Sequence, residues 1–413
     1  MGNYEKLAHR RAKKSIRVTD GAGNPLANTT FRLKQTRHAF LFGCGAFDIN
    51  DYFATQDPER KKVLEERLAL WTDLFNYGTL PFYWGGYEPV EGQPKWESRM
   101  AAAKYMKERN IEVKGHPLCW HTACANWLME YDNTTILDKQ LKRIERDVTQ
   151  FKGTIDIWDV INEVVIMPDY DRYDNAITRI CLEHGRVNLI KKVFDEAKSA
   201  NPDSVLLLND FNTSVAYEIL IDGALQAGAP IDVIGIQSHQ HQGFWGKEKL
   251  NKVLERYERF KKPIHFTENT FVSGDLLPAH IVDLNDFQPE VWPSTPEGEE
   301  RQTREWEEMY RILFEHPYVE AVTGWDFADG MWLNAPSGVI TKDNQVKPVY
   351  RRLKELFKGE WWTDVEVHTD ENGCMEVEGF KGDYVLECEG MSASLDLRVS
   401  VADLQTVVMN LTV

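Results

Sequence analysis

Between about residues 38 and 358 the chain alternates, eight times over, between short apolar runs and longer stretches of helical periodicity. This alternation restricts the fold more than any other feature. The runs 40–47, 74–76, 113–120, 155–161, 205–209, 233–237, 264–267 and 321–325 read as strands, and stretches such as 57–73, 99–110, 135–151, 188–200 and 303–314 read as helices. Strands without polar alternation are those covered on both faces, which is the condition of a parallel sheet. A parallel pair also needs a long crossover, and a helix supplies it. Eight such repeats predict an α/β fold, a (β/α)8 TIM barrel over 38–358.

Polar residues gather at the C-terminal ends of these runs: His116 and His121, Asn162 and Glu163, Asn209 and Asp210, Gln237 and His239, Glu268, Trp325 and Asp326. Barrels of this type place their active sites on that face. Glu163 closes Ile157-Trp158-Asp159-Val160-Ile161-Asn162-Glu163, and Glu268 closes Pro263-Ile264-His265-Phe266-Thr267-Glu268. A carboxylate ending a buried strand is costly unless it faces a polar cleft. Either glutamate alone also reads as a strand-end residue or a helix N-terminal anion. Two together fit a paired-carboxylate site of the kind that cleaves glycosidic bonds.

The flanks differ. Residues 12–35 carry a strand–turn–strand signal, and 361–413 alternate apolar and polar residues around turns. An isolated hairpin is marginal in water. The N-terminal hairpin is therefore expected to pack with the C-terminal β domain as one small sandwich. Its expected role is to stabilise the barrel ends; glycan binding is the alternative. The segment 271–297, with four prolines and Trp292, is expected over the active face, as a groove cover or a plain surface loop.

A net charge of −17 argues against nucleic-acid and anionic-membrane partners and fits a neutral polymer. The thirteen tryptophans would supply flat platforms for sugar rings or be absorbed in the core. No apolar run spans a membrane, and the basic first eighteen residues lack the apolar centre of a signal peptide. The expectation is a cytoplasmic protein, or a secreted one if a leader was trimmed. The six cysteines show no metal-ligand spacing, and only Cys374 and Cys388 are placed to meet. No metal or cofactor is expected, and the working unit is expected to be a monomer.

The segments Gly115-His116-Pro117-Leu118-Cys119-Trp120-His121, Trp158-Asp159-Val160-Ile161-Asn162-Glu163, Asn209-Asp210-Phe211-Asn212, Gln237-Ser238-His239 and Thr267-Glu268 together resemble glycoside hydrolase family 10, in that family's order. The family consists mainly of retaining endo-β-1,4-xylanases on a (β/α)8 barrel. The resemblance covers roughly residues 38–357. It implies Glu163 as general acid/base and Glu268 as nucleophile. His239 would donate to Glu268, and Asn162 would bind the sugar 2-hydroxyl. His116, Trp120 and Gln237 would line the subsite of the sugar being cleaved, and Trp325 would form its floor. Trp84 and Trp332 complete the expected substrate-binding set. The implied partner is a polysaccharide or oligosaccharide.

The sequence also departs from the family. Where members usually carry Glu-Asn-x-Met-Lys-Trp, whose polar residues bind xylose on the glycone side, this chain has Thr79-Leu80-Pro81-Phe82-Tyr83-Trp84. The usual Glu-Leu-Asp becomes Glu268-Asn269-Thr270, and Trp325 and Trp332 stand one residue closer than the usual pair. Hydroxyl recognition depends on buried polar partners, so specificity is expected to change. The expectation is a retaining hydrolase of β-1,4-linked xylan or a related plant cell-wall glycan. The alternatives are the same machinery with another specificity (a decorated or non-xylan β-glycan, or an exo mode) and a glycan-binding protein without catalysis.

Overall fold

The computed structural model describes residues 5–411; the start of the basic N-terminal stretch (1–4) and the end of the expected β tail (412–413) lie outside the described residues. Strands β1 (Arg11–Thr19) and β2 (Thr30–His38) precede eight others: β3 (Leu41–Gly45), β4 (Tyr77–Pro81), β5 (Glu112–His116), β6 (Ile157–Asn162), β7 (Val205–Asp210), β8 (Val233–His239), β9 (Ile264–Thr270) and β10 (Val319–Gly324). These eight close on themselves in the order β10-β3-β4-β5-β6-β7-β8-β9. This is the TIM barrel expected from the alternation. β4 and β9 are buried at every position, as strands covered by helices on one face and a filled barrel on the other must be.

The crossovers are helices such as Pro58–Leu74, Asn133–Phe151, Arg186–Ala200 and Pro296–Glu315. Their starts are written in the sequence. Asp57 accepts from the Glu59 N–H ahead of Pro58, and Asp132 accepts from the Thr135 N–H. Asn133–Phe151 buries Ile136, Gln140, Arg143, Ile144, Asp147, Val148 and Phe151, one stripe at helical spacing.

The second barrel strand is not at 74–76 as expected. Leu74 ends the preceding helix and the strand is Tyr77–Pro81. Its sequence, Tyr-Gly-Thr-Leu-Pro, holds two poor strand formers. Packing overrides them: a side chain at Gly78 would meet Met106 Cε at 2.1 Å and Trp71 Cη2 at 3.0 Å. Thr79, Leu80 and Phe82 are 0% exposed, so the segment that departs from the family lies mostly in the core.

Residues 5–41, 314–317 and 351–411 form a separate unit. Here the sequence suggests a β1–β2 hairpin, but the two strands enter different sheets. β1 pairs antiparallel with β12 (Cys374–Phe380) and parallel with β15 (Val401–Val408), once β11 (Asp364–His368) has paired with β2. β2 also pairs with β13 (Gly382–Cys388), which continues to β14 (Met391–Asp396) and β16 (Asn410–Leu411). The reason is a shared core. Ile16 and Val18 of β1 and Phe31, Leu33, Tyr384 and Leu386 of the other sheet bury in one cluster, which requires the strands to lie in opposing layers. All six cysteines are free thiols, Cys374 and Cys388 included. Among the described residues no helix is long and apolar enough to cross a membrane.

Gly115 of β5 faces the indole of Trp158 on β6; an added Cβ would lie 2.1 Å from the ring. Phe82 and Phe151 pack on that ring, so it has nowhere to go. Gly115→Ala is expected to cost about 1–3 kcal/mol, read as a lower urea midpoint at unchanged slope. An unchanged midpoint would contradict this packing.

Candidate active site

Parallel pairing sets the strand ends side by side. Asn162 of β6 is in register with Asn209 of β7, and Gln237 of β8 with Glu268 of β9. Their side chains bond across the strands. Asn209 Nδ2 donates to Asn162 Oδ1 at 2.8 Å and to Glu268 Oε1 at 2.9 Å, while its Oδ1 accepts from the Thr267 hydroxyl at 2.6 Å. Gln237 Nε2 donates to Asn162 Oδ1 at 3.0 Å and to Glu163 Oε1 at 3.1 Å. Asn162 Nδ2 donates to Glu163 Oε1 at 3.2 Å, and Trp120 Nε1 donates to Glu163 Oε2 at 2.9 Å. An amide N–H2 has two hydrogens. Asn209 and Gln237 each spend both within the network.

Glu163 stands just past β6 at φ 56°, a conformation uncommon outside glycine. Its N–H bonds to Asn209 O at 2.9 Å, which holds the turn. Such backbone persists where the surroundings fix it and is typical of functional positions. Burial, aided by the nearby charge of Glu268, pushes the Glu163 carboxyl up to about 8.

Glu268 lies within β9 and also meets N–H donors. Besides Asn209, His239 Nε2 is 3.3 Å from its Oε2, and His239 Nδ1 lies 3.2 Å from the Thr270 hydroxyl. His116 Nε2 is 3.8 Å from Glu268 Oε1. The His116 ring is fixed from behind: Nδ1 is 2.7 Å from Asp159 Oδ2, and Lys114 Nζ is 2.6 Å from the same oxygen. Burial pushes Asp159 up, but Lys114 and His116 more than offset this and hold it below its usual range. A carboxylate only accepts, so His116 Nδ1 carries the hydrogen.

Aromatic rings wall the cleft. Trp325 stands edge-on to His116 at 5.3 Å and to His239 at 6.0 Å, and Trp332 lies 4.3 Å from His239, centroid to centroid. Tyr83 stands 5.8 Å from His116 and 5.6 Å from Trp120. Tyr83, Trp325 and Trp332 line a cavity of about 600 Å³.

The fold therefore brings Glu163, Glu268, His116, Trp120, Asn162, Gln237, His239, Trp325 and Trp332 to one place. Trp84 stands elsewhere: 4% exposed, it donates to Glu88 Oε2 at 3.0 Å and packs under Arg143 and edge-on to Trp127. His121 packs on Tyr170 at 4.4 Å, and burial lowers it to about 4. Segment 271–297 has its own small core of Val272, Leu277 and Trp292, and its Asp283 and Asp286 pair with Arg172 from the loop after β6. The sequence placed Asn209 on the active face without deciding its role, and passed over Thr267, Lys114, Asp159 and Tyr83 as site residues. Asn209 stood in a motif, but no spacing reveals that its amide reaches from β7 to β6 on one side and past β8 to β9 on the other.

The chemistry available is a buried carboxyl, Glu163, pushed up to about 8 beside a second carboxyl, Glu268, whose charge helps to raise it; N–H donors reach both. Carboxyl pairs whose environments differ in this way divide into acid and base or nucleophile.

The family model described as Glycosyl hydrolase family 10 matches residues 81–356. The chain is 25% identical over 293 residues to endo-1,4-beta-xylanase B of Thermotoga neapolitana, covering 67% of this chain and 78% of that one. It is 24% identical over 329 residues to an endo-1,4-beta-xylanase/feruloyl esterase of Xylanibacter ruminicola, covering 71% of this chain but only 43% of that protein's length. Its fold is similar to that of xylanase 10B from Thermotoga petrophila, solved in complex with xylobiose. The TM-score is 0.64 at 21% identity, over 78% of this chain and 95% of that one.

Carbon-13 NMR of labelled carboxyls is expected to find Glu163 titrating near 8. Glu268→Gln removes a neighbouring negative charge, so the Glu163 midpoint should then fall. A Glu163 midpoint near the ordinary 4.5 in the intact protein would overturn the division between the two carboxyls.

Proposed function

The chain belongs to glycosyl hydrolase family 10, and from that premise we propose that it is a retaining glycoside hydrolase acting on β-1,4-linked xylan or a related plant cell-wall glycan. The observation that carries this reading is the unequal pair at the ends of β6 and β9. Glu163 is pushed up to about 8 by burial and by Glu268, while Glu268 accepts from Asn209 and faces His239.

In the first step Glu268 attacks the anomeric carbon while Glu163 gives its proton to the departing glycosidic oxygen, leaving a glycosyl ester on Glu268. Glu163, now a carboxylate, takes a proton from water as the water oxygen displaces Glu268. Two inversions at one carbon retain its configuration. Asn162, held by Asn209 and Gln237, would bind the sugar 2-hydroxyl, and Trp325, which lines the cavity, would lend a flat face to the ring. The substrate is a poly- or oligosaccharide, taken up without a metal or cofactor.

A second reading, the same machinery with another glycan specificity, rests on one observation. Thr79, Leu80 and Phe82 are buried in the core, and of this segment Tyr83 lines the cavity. Product analysis on linear xylan, branched xylan and other β-1,4-glycans separates the two readings. Rapid release of short oligosaccharides from linear xylan would defeat the second.

Glu268→Ala is expected to lose turnover, and azide to restore it with a product of inverted configuration. Unchanged activity in that variant would refute the nucleophile assignment. Because Glu163 must enter the reaction protonated, kcat/KM should fall as pH rises through about 8. A profile flat to pH 9.5 would contradict Glu163 as the acid.

A further inference from the structure

The cavity beside the carboxylate pair is more polar than the replaced segment would suggest. Lys342 and Asp329 line it together with Tyr83, Trp325 and Trp332. The sequence places Tyr83 where the family usually has a lysine. The Tyr83 hydroxyl has no hydrogen-bond partner among the described residues. It adds one neutral donor, no cation.

Lys342 reaches the same space from another segment, and its placement is built. Its stem crosses Gly330, where an added Cβ would lie 1.8 Å from Lys342 Cε. Gly330 has φ +77°, a left-handed conformation that favours glycine. Beneath the loop, Arg67 is 5% exposed and spends its donors there: Nη2 on Lys342 O at 2.9 Å, Nε on Asn344 Oδ1 at 2.8 Å, and Nη1 on Asp48 Oδ1 at 2.9 Å. The buried Arg67–Asp48 pair thus fixes the main chain that carries Lys342. The ammonium donates to Asn334 Oδ1 at 2.8 Å and makes no ion pair among the described residues. Of its three N–H donors, two remain.

We propose that Lys342 is a substrate-binding residue of this pocket, a cation that contacts hydroxyls of the sugar unit next to the one being cleaved and replaces, from the segment after β10, the lysine absent at Tyr83. The inference rests on the glycosidase reading above. The ligand class is a neutral pyranose. The lining sets Asp48, Asp326 and Asp329 against Arg60, Arg67 and Lys342, so it favours no net charge on the ligand. Asp329 keeps one oxygen without a partner among the described residues, since Oδ1 takes Lys347 at 3.0 Å and the Gly338 N–H at 2.9 Å. A hydroxyl can accept from Lys342 and donate to Asp329 at once.

The test compares an aryl β-xyloside, which fills only the subsite of the cleaved sugar, with an aryl β-xylobioside, which adds one unit. Lys342 is exposed, so Lys342→Met should fold. It is expected to lower kcat/KM on the xylobioside by about 10- to 100-fold, mainly through KM, and to leave the xyloside within about threefold. Tyr83→Lys added to Lys342→Met should recover part of the loss by returning a cation to the same cavity. Equal loss on both substrates, or loss on neither, overturns the inference. If the wild-type protein cleaves neither substrate, the xylan reading fails instead, and calorimetric titration with xylotriose, cellotriose and mannotriose decides the pocket. Weaker binding in Lys342→Met supports the inference; equal affinity, or no binding to the wild type, overturns it.

Discussion

The side-chain amide of Asn209 is the tie on which the site depends. It lies at the end of β7, between the strands that carry the two glutamates, and donates to Asn162 on one side and Glu268 on the other. Its oxygen is committed to Thr267. With every polar atom of the side chain engaged, the amide cannot flip without breaking three hydrogen bonds. Gln237 repeats the arrangement one strand on, from Asn162 to Glu163. Both bridges exist because parallel register brings equivalent strand ends level, and because the barrel closes.

Burial then divides the work. A carboxylate out of water is costly, and protein groups can relieve the cost by supplying donors or by leaving the proton in place. Both carboxyls receive donors, yet burial and the charge of Glu268 still push Glu163 up to about 8. The ionised Asp159 is held by Lys114 on one side and steadies His116 on the other, so a buried ion pair fixes the face of His116 turned to Glu268. Removing one member of such a group leaves an uncompensated charge, which costs more than the pair itself contributes.

Much of this was legible in the sequence, for a physical reason. Doubly covered strands are apolar throughout, and their polar residues are pushed to the ends, so Glu163 and Glu268 announce themselves. β4 did not, because Gly78 and Pro81 are strand residues only by virtue of what packs on them. The hairpin expectation failed on a similar point: alternation gives the buried face of β1 and of β2, but not whether two buried faces share a sheet or oppose one another. Trp84 was drawn to the site by its place in a motif, whereas Glu88, Trp127 and Arg143 hold it away from the carboxylates. The bridging role of Asn209 and the reach of Lys342 stayed unseen because each acts across strands or loops distant in sequence.

The central claim is that Glu268 forms a covalent bond to the sugar while Glu163 handles the proton. The most direct measurement is mass spectrometry of the protein after incubation with a 2-deoxy-2-fluoro β-xylobioside bearing a good leaving group, which slows breakdown of the glycosyl ester. The account predicts one added disaccharide per chain, mapped after proteolysis to Glu268. An adduct on another residue, or an enzyme that turns over natural substrate with inversion and traps no adduct, would contradict it.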